Sequence, residues 1–222
     1  MSERIVKTMD FLRACFEQTE YFKADPAAKK YRLEHSVRVA NLCREIARKE
    51  GMDVETAVIA GLLHDVGYGQ DFPDDYDWND HGRDGARIAR PFLESLELDG
   101  QTVNDICYAI AIHVDDKADF EGHRCPFTET IGDADNIDRF DAYRIYESVR
   151  YQAKLEDHTL SENLDWLRQR IDRLGRLGDI RFATPTAASL WQDKVENQKN
   201  FFARLLRQME ASCLPEEREK KE

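Results

Sequence analysis

Histidine is scarce in this chain, and most of its six histidines fall where a helical pattern turns them toward the interior. The inward-facing histidines are His35, His64, His81 and His113. Asp65 follows His64 at the end of the apolar run AVIAGLLHD, and Asp135 shares a helix face with Ile131. A buried carboxylate is costly unless it is paired or bound to a metal, and imidazole nitrogens and carboxylate oxygens are common transition-metal ligands. The set indicates a metal site; the alternative is that each histidine is a hydrogen-bonded core residue.

The elements that position these residues are all predicted to be helices. Apolar residues recur with a period near 3.6, and convincing alternation with a period of two is absent, so we predict an all-α fold. Val39, Cys43 and Ile46 mark the buried face of the helix that carries His35. The helices that carry the candidate ligands are expected at about 30–50, 53–65, 80–98, 103–114 and 128–141.

Local signals predict where several helices begin and break. Asp53 and Thr102 are the expected N-caps of the third and fifth helices, and Pro91 predicts a kink or break in the fourth. Thr184, followed by Pro185, opens a long final helix. Further segments are expected as follows: a helix over 4–22, a break at 24–26, an amphipathic helix over 161–177 and a charged, frayed tail over 215–222.

The charge balance argues against polyanionic partners. The 222 residues include 32 Lys and Arg against 44 Asp and Glu, a formal net charge of −12. Sites for nucleic acid or anionic membranes normally contain a basic stripe, and the sequence has none. With 41% hydrophobic and 34% charged residues, the chain is long enough to bury a core. We expect one folded domain, with neither long nucleic acid nor a membrane as partner; the oligomeric state is not fixed, and a homodimer is left open.

The cysteines and the apolar runs indicate the cellular compartment of the protein. The five cysteines are dispersed and include no Cys-x-x-Cys pair. Cys43 and Cys107 lie within apolar patterns, as expected for reduced core residues of a cytosolic protein. The N-terminus has no apolar signal-peptide core, and no run approaches 18 apolar residues. We therefore predict a soluble, cytoplasmic protein.

The order of the candidate ligands resembles that of the HD-domain metal-dependent phosphohydrolases. A histidine, a His-Asp pair and a later aspartate occur in this family's order and at its separations. The matching segments are His35, LLHDVGYG around His64 and Asp65, and IGDADNIDRFDA around Asp135. The resemblance covers about 31–145 and extends more weakly through AIAIHVDD and ATPTAASLWQDKV, as in small stand-alone bacterial members. It implies a helical HD-domain bundle with N- and C-terminal helices packed on the core.

The resemblance also implies the ligands of a first metal. They are His35, His64, Asp65 and Asp135. We choose Asp135 over Asp133 because the last ligand of the family occupies an Ala-Asp-x-hydrophobic setting, which Ala-Asp-Asn-Ile reproduces at 134–137. The expected divisions are an N-terminal helix over 1–30, the metal-binding core over 31–145 and C-terminal helices over 146–214.

Two further histidines favour a second metal. His81 in HGRDGARIA and His113 in AIAIHVDD match the extra histidines of dinuclear members, in which Asp65 would bridge the two ions. Tyr68 stands where some mononuclear nucleotide hydrolases of the family carry a glutamate, which also favours two ions. The nitrogen ligands suggest Fe or Mn over Mg, with Co, Ni, Zn and Mg left open.

The implied reaction is hydrolysis of a phosphate ester or anhydride in a small molecule, such as a nucleotide, by a metal-activated water. Asp65 and Asp138 are the candidate catalytic residues. Asp138 is a base, a partner of a ligand histidine or an exposed helix acid. Phosphate needs cationic or N–H partners. The candidate substrate-binding residues are Arg83, Lys117, Arg124 and Arg139.

Two features leave alternatives open. The acidic loop over 67–80 holds five aspartates and several aromatics, and is either a lid whose rings stack on a base or shield the site, or a solvated loop; its acidity favours the second. The same scaffold could serve a diiron oxygenase or a non-catalytic nucleotide-sensing module. The sequence names neither the substrate nor the metal.

Overall fold

The structure is a computed structural model that describes residues 2–152 and 159–212. Regular secondary structure in these residues consists of α-helices and short 3₁₀-helices without a strand, which confirms the all-α prediction. The α-helices are α1 Glu3–Gln18, α2 Glu20–Ala24, α3 Pro26–Glu50, α4 Val54–Leu63, α5 His81–Glu94, α6 Gly100–Ile112, α7 Pro126–Arg139, α8 Ala142–Gln152, α9 Leu160–Gly175 and α10 Pro185–Glu210. The 3₁₀-helices are Val66–Tyr68, Trp78–Asp80 and Arg176–Asp179. The tail predicted over 215–222 lies outside the described residues.

The chain divides into two compact units. The first contains the chain up to Asp138 together with Phe182–Ala188, and the second contains Arg139–Arg181 and the chain from Ser189 onward. The prediction of one domain over the whole chain stays a prediction. Among the described helices, none combines the length and the apolar character needed to cross a membrane.

The second unit has an apolar core of its own. Leu167 and Leu174 on α9 are buried against Phe202 on α10. The indole N–H of Trp191 donates a hydrogen bond to the carbonyl of Leu177. The amphipathic helix predicted over 161–177 is therefore present, with its apolar face buried.

Within the first unit, α3 and α4 follow the predicted pattern closely. Asp25 accepts a hydrogen bond from the N–H of Ala28 at 2.9 Å, so the expected break at 24–26 is the N-cap of α3. This helix ends at Gly51, whose φ of 72° suits a residue without a side chain. Asp53 caps α4 as predicted, because its carboxylate accepts the N–H of Thr56. The expected apolar face of α3 is buried.

Three helix boundaries differ from the prediction for local reasons. The first predicted helix divides at Thr19, whose hydroxyl accepts the N–H of Phe22 and opens α2. Thr102 is not the cap of α6: its N–H donates to Asp99, which is the N-cap three residues earlier. Pro91 lies inside α5 without breaking it, and the helix ends at Glu94 rather than near residue 98.

The glycines of α5 and of the segment after Asp65 permit close helix packing. A Cβ atom on Gly67 would lie 2.1 Å from the backbone oxygen of His81, and one on Gly82 would lie 2.6 Å from the oxygen of Ala111. Side chains at these positions would force the backbones apart. The start of α5 can therefore lie directly against the 3₁₀-helix Val66–Tyr68 and the last turn of α6.

Candidate metal centre

Four histidines converge on the carboxylate of Asp65. Oδ2 of Asp65 lies 3.6 Å from Nε2 of His35 and 3.4 Å from Nε2 of His64. Oδ1 lies 3.4 Å from Nε2 of His81 and 3.8 Å from Nε2 of His113. Asp65 is only 2% exposed. Each oxygen of this one buried carboxylate therefore faces its own pair of imidazole nitrogens.

Asp135 adds a second carboxylate on the His35 side of the cluster. Its Oδ1 lies 3.0 Å from Nε2 of His35 and 3.9 Å from Nε2 of His64. The neighbouring candidate Asp133 is directed elsewhere and accepts the N–H of Ala183 at 2.8 Å. In each of two sets of residues, the possible ligand atoms all lie within 4.8 Å of one another. The first set is His35, His64 and Asp135, and the second is His64, Asp65 and His113.

Three of the histidines are held by the same local hydrogen bond. In each, Nδ1 donates to the backbone carbonyl three residues earlier, at the C-terminus of a helical segment. The pairs are His64 with Gly61, His81 with Trp78, and His113 with Ile110. Carbonyls at a helix end lack an intrahelical partner and are free to accept such bonds. With the proton on Nδ1, the lone pair of Nε2 is directed toward the carboxylates.

His35 is held by a carboxylate instead. Its Nδ1 donates to Oδ2 of Asp138 at 2.7 Å. Arg38 holds that carboxylate in turn, with Nε 2.8 Å from Oδ1 and Nη2 3.1 Å from Oδ2. Tyr31 stacks on the His35 ring with a centroid separation of 5.9 Å. A carboxylate that holds a ligand histidine fixes the ring orientation and makes the other nitrogen a better donor.

Hydrogen bonds between His35 and its two carboxylate partners shift the pKa values of these groups. Burial alone would lower the pKa of His35, but hydrogen bonds to Asp135 and Asp138 outweigh burial and raise it to about 9. Burial would raise the pKa of Asp135, but the hydrogen bond from His35 and the charge of His64 bring it to about 2. Asp135 is therefore ionised and His35 protonated at neutral pH, so a metal that binds here would release a proton from His35.

Sequence reasoning missed Arg32, which lies beside the cluster. Its Nη1 donates to Oδ2 of Asp65 at 2.7 Å, and its guanidinium lies 3.9 Å from the centroid of the Tyr68 ring. Burial raises the pKa of Asp65, but His64 and Arg32 more than offset it and hold that pKa well below its usual range. A signal was present in the sequence: Arg32 precedes His35 by three residues and therefore shares its face of α3.

The donor set fits a divalent transition metal. Nε2 of His35 and Nε2 of His64 lie 3.3 Å apart, and both rings place a donating N–H on Nδ1. A cation bound between them would replace the proton on Nε2 of His35 and be coordinated by both nitrogens. Neutral imidazoles with anionic carboxylates suit the first-row transition metals better than Mg²⁺.

Two predicted substrate-binding residues, which follow His81 and His113 closely in the sequence, already pair with carboxylates. Arg83 donates to Asp115 at 2.9 Å and to Asp80. Lys117 lies 3.2 Å from the same Asp115 and is largely exposed. A substrate phosphate would compete with these carboxylates for either cation.

The other two predicted residues lie farther along the chain. Arg124 pairs with Asp116 through Nη2, and its Nη1 lies 3.2 Å from Oε1 of Glu129. Arg139 occupies the last turn of α7 and belongs to the second compact unit, whereas the histidine cluster lies in the first. A role in substrate binding stays a prediction for all four residues.

The fold and the cluster together define a class: all-helical proteins whose helix ends and helix faces gather histidines and aspartates into a metal-binding site. The chain belongs to the HD domain family, whose model matches residues 32–143, about half of the chain. The match agrees closely with the expected core over 31–145. Membership supports a metal-dependent phosphohydrolase in general terms, without indicating a substrate.

Individual relatives support the same family. The chain is 38% identical over 89 residues to Ribonuclease Y of Mycoplasma mycoides, covering 36% of this chain and 20% of that protein. It is 38% identical over 85 residues to Ribonuclease Y of Nitratidesulfovibrio vulgaris strain DP4, covering 38% of this chain and 14% of that protein. The chain thus spans a fifth or less of these relatives.

A solved structure resembles this fold over most of both chains. The crystal structure of a predicted HD superfamily hydrolase from an uncultured Thermotogales bacterium superimposes with a TM-score of 0.61. The match covers 90% of each chain at 23% identity. At that identity the likeness shows the fold alone.

Proposed function

We propose that this protein hydrolyses a phosphate ester or anhydride of a small molecule, with nucleotides as the first class to test. The observation that carries the proposal is the position of Asp65. Each of its two oxygens faces a separate pair of histidine Nε2 atoms. One carboxylate between two sets of nitrogen donors is the arrangement that a pair of ions needs for a bridging ligand.

The proposed ligands divide between two ions that share Asp65. The ligands are His35, His64, Asp65 and Asp135 for one ion, and Asp65, His81 and His113 for the other. When bound, divalent ions would supply Lewis-acid activation of water and stabilisation of phosphate charge. Fe or Mn is proposed for this donor set.

Residues outside the ligand set orient it and bind the substrate. Asp138 is proposed to position His35 rather than to act as a base, because both of its oxygens already accept hydrogen bonds. Arg32, which already donates to Asp65 through Nη1, is proposed to bind a phosphate oxygen through its other guanidinium nitrogens. Its side chain is 27% exposed, and a guanidinium is the preferred partner of phosphate.

RNA is a second candidate substrate, favoured by the similarity to Ribonuclease Y. Two features favour a small substrate instead. The formal net charge is −12, and the predicted substrate-binding cations Arg83 and Arg124 are already paired with carboxylates. A long polyanion gains affinity mainly from many unpaired cations.

The test uses metal-stripped protein reloaded separately with Mn²⁺, Fe²⁺, Co²⁺, Ni²⁺ and Mg²⁺. Each form is assayed for phosphate release from nucleoside mono-, di- and triphosphates and from simple phosphate esters, and for cleavage of cyclic dinucleotides and of a labelled RNA oligomer. We expect metal-dependent turnover of a small phosphate compound. Cleavage of RNA alone would replace the proposal by the second candidate.

Oxygen uptake by the iron-loaded form tests the alternative of a diiron oxygenase on the same scaffold. Uptake coupled to loss of an organic substrate, without phosphate release, would favour that alternative. If Asp65→Ala left all measurable turnover unchanged, a non-catalytic nucleotide-sensing module would be favoured.

A further inference from the structure

A partly exposed aromatic surface borders the histidine cluster. Trp78 is 46% exposed and Tyr21 is 37% exposed. The Trp78 ring stacks on Tyr68 with a centroid separation of 5.7 Å and an interplanar angle of 25°. The Tyr68 ring lies 4.9 Å from the ring of His81, and the carbonyl of Trp78 accepts the N–H of the same histidine. The exposed indole is therefore connected to a proposed metal ligand both through Tyr68 and through its own backbone.

The indole is fixed in place by its neighbours. Phe72 packs against it at 4.8 Å, and Tyr76 meets it edge to face at 5.4 Å. The Tyr76 hydroxyl donates to Asp84 at 2.6 Å, on the helix that begins with His81. An exposed tryptophan held this firmly is a preorganised surface, because little side-chain freedom remains to be lost when a ligand stacks on it.

The acidic loop over 67–80 that carries Trp78 favours an uncharged aromatic ligand over a phosphate. Asp71 accepts the N–H of Glu20 at 2.7 Å, Asp77 caps the 3₁₀-helix that begins at Trp78, and Asp80 pairs with Arg83. These carboxylates have local structural partners, yet they still disfavour a phosphate near the loop. They do not disfavour an uncharged aromatic group, so the loop and the histidine cluster are suited to different parts of one molecule.

We propose that Trp78 stacks on the base of a nucleotide whose phosphate is bound at the histidine cluster. The inference rests on the proposed phosphohydrolase function and adds the residue that binds the base of its substrate. Tyr68 supports the indole from the side of the metal ligands, and Tyr21 extends the aromatic surface toward α2. Stacking of this kind tolerates different bases, since each base presents an aromatic face.

The first test compares a nucleoside 5′-monophosphate with glycerol phosphate, which has no ring. In Trp78→Ala we expect the KM for the nucleotide to rise about tenfold, as for loss of one base–aromatic stack. We expect kcat to change little, because stacking acts equally on the bound substrate and on the transition state. Any change for glycerol phosphate, which has no ring to stack, should be several-fold smaller than the change for the nucleotide, and Trp78→Phe should restore most of the nucleotide affinity. An equal change for both substrates, or no change for either, would overturn the inference.

The second test is independent of turnover. A nucleoside 5′-phosphonate is titrated into the Zn²⁺-loaded protein while tryptophan fluorescence is followed. We expect quenching that is lost in Trp78→Phe and kept in Trp166→Phe, a matched control in the other compact unit. If the quenching did not depend on Trp78, the inference would be wrong. Quenching without hydrolysis of any phosphate compound would keep base binding and reject the proposed activity, so the two failures are distinguishable.

Discussion

The two sides of the histidine cluster are built in different ways. On one side, His35 lies within a long helix and is held by Asp138, which Arg38 holds in turn. On the other side, His81 and His113 lie at helix ends and are held by backbone carbonyls three residues earlier. The first side depends on charges brought from distant parts of the chain, and the second depends on local backbone geometry.

The difference has a consequence for metal binding. The His35 side offers the additional carboxylate of Asp135 and a histidine polarised by Asp138, so its donors carry more negative charge. The His81 and His113 side shares Asp65 and otherwise offers imidazole nitrogens alone. We therefore expect the His35 side to bind its ion more tightly and to fill first.

Removal of the shared carboxylate should have the largest effect, since it belongs to both sides. In Asp65→Asn we expect loss of both ions and a fall in kcat/KM of at least about a thousandfold. Metal analysis of the purified variant and steady-state kinetics measure this. Asp133→Asn is the matched control, because Asp133 is directed at the N–H of Ala183 instead. If Asp65→Asn retained two ions, Asp65 would not be the shared ligand.

The next largest effect is expected for a substitution that removes a ligand from the His81 and His113 side alone. In His81→Ala we expect bound metal to fall from about two ions to about one per chain, since the other set of ligands is intact. His123→Ala provides the control, because His123 is an exposed histidine outside the cluster. An unchanged metal content would contradict the dinuclear assignment.

The close packing of Gly67 against the backbone of His81 should matter chiefly for the side of the cluster that holds His81 and His113. Gly67→Ala would place a Cβ atom 2.1 Å from the backbone oxygen of His81. The chain must shift at His81, so we expect a loss of about 1–3 kcal/mol in the free energy of unfolding and a fall in activity of about a hundredfold. Chemical denaturation and kinetics test both effects. In Gly100→Ala, where an added Cβ meets nothing within 4 Å, stability should not fall.

The smallest effect is expected for the residue that supports His35. In Asp138→Asn we expect affinity for the first ion to fall about 10–100-fold, as for other groups that orient a ligand histidine. Both ions should still bind at saturation. Metal titration with a competing chelator measures the change. An equal loss of affinity for the second ion would remove the distinction between the two sides.

Several features of the fold were predictable because their causes are local. The apolar period of α3, the caps at Asp25 and Asp53 and the opening of α10 at Thr184 depend on neighbours within a few residues. Thr102 was mistaken for a cap because Asp99, three residues earlier, provides the better acceptor. Thr19 divides the first helix by capping α2, although the apolar pattern continues through it.

The candidate site was predictable to the extent that residue type and helical phase suffice. His35, His64, Asp65 and Asp135 were selected by their order in the chain and their inward faces, and the structure brings them together. Arg32 was missed because its contact with Asp65 spans 33 positions of sequence. Arg83 and Arg124 were selected as phosphate partners from their charge, and only the folded chain shows that they pair with Asp115 and Asp116.

The sequence by itself determined the helices, the inward direction of the histidines and the local bond that holds three of them, because each depends on residues within one or two turns. The tertiary structure alone decided that Asp65 lies between two pairs of nitrogens and that Asp138 supports His35, a contact across 103 positions. Helical phase specifies a direction for each side chain, but only the packing of helices against one another sets the distance at which those directions meet.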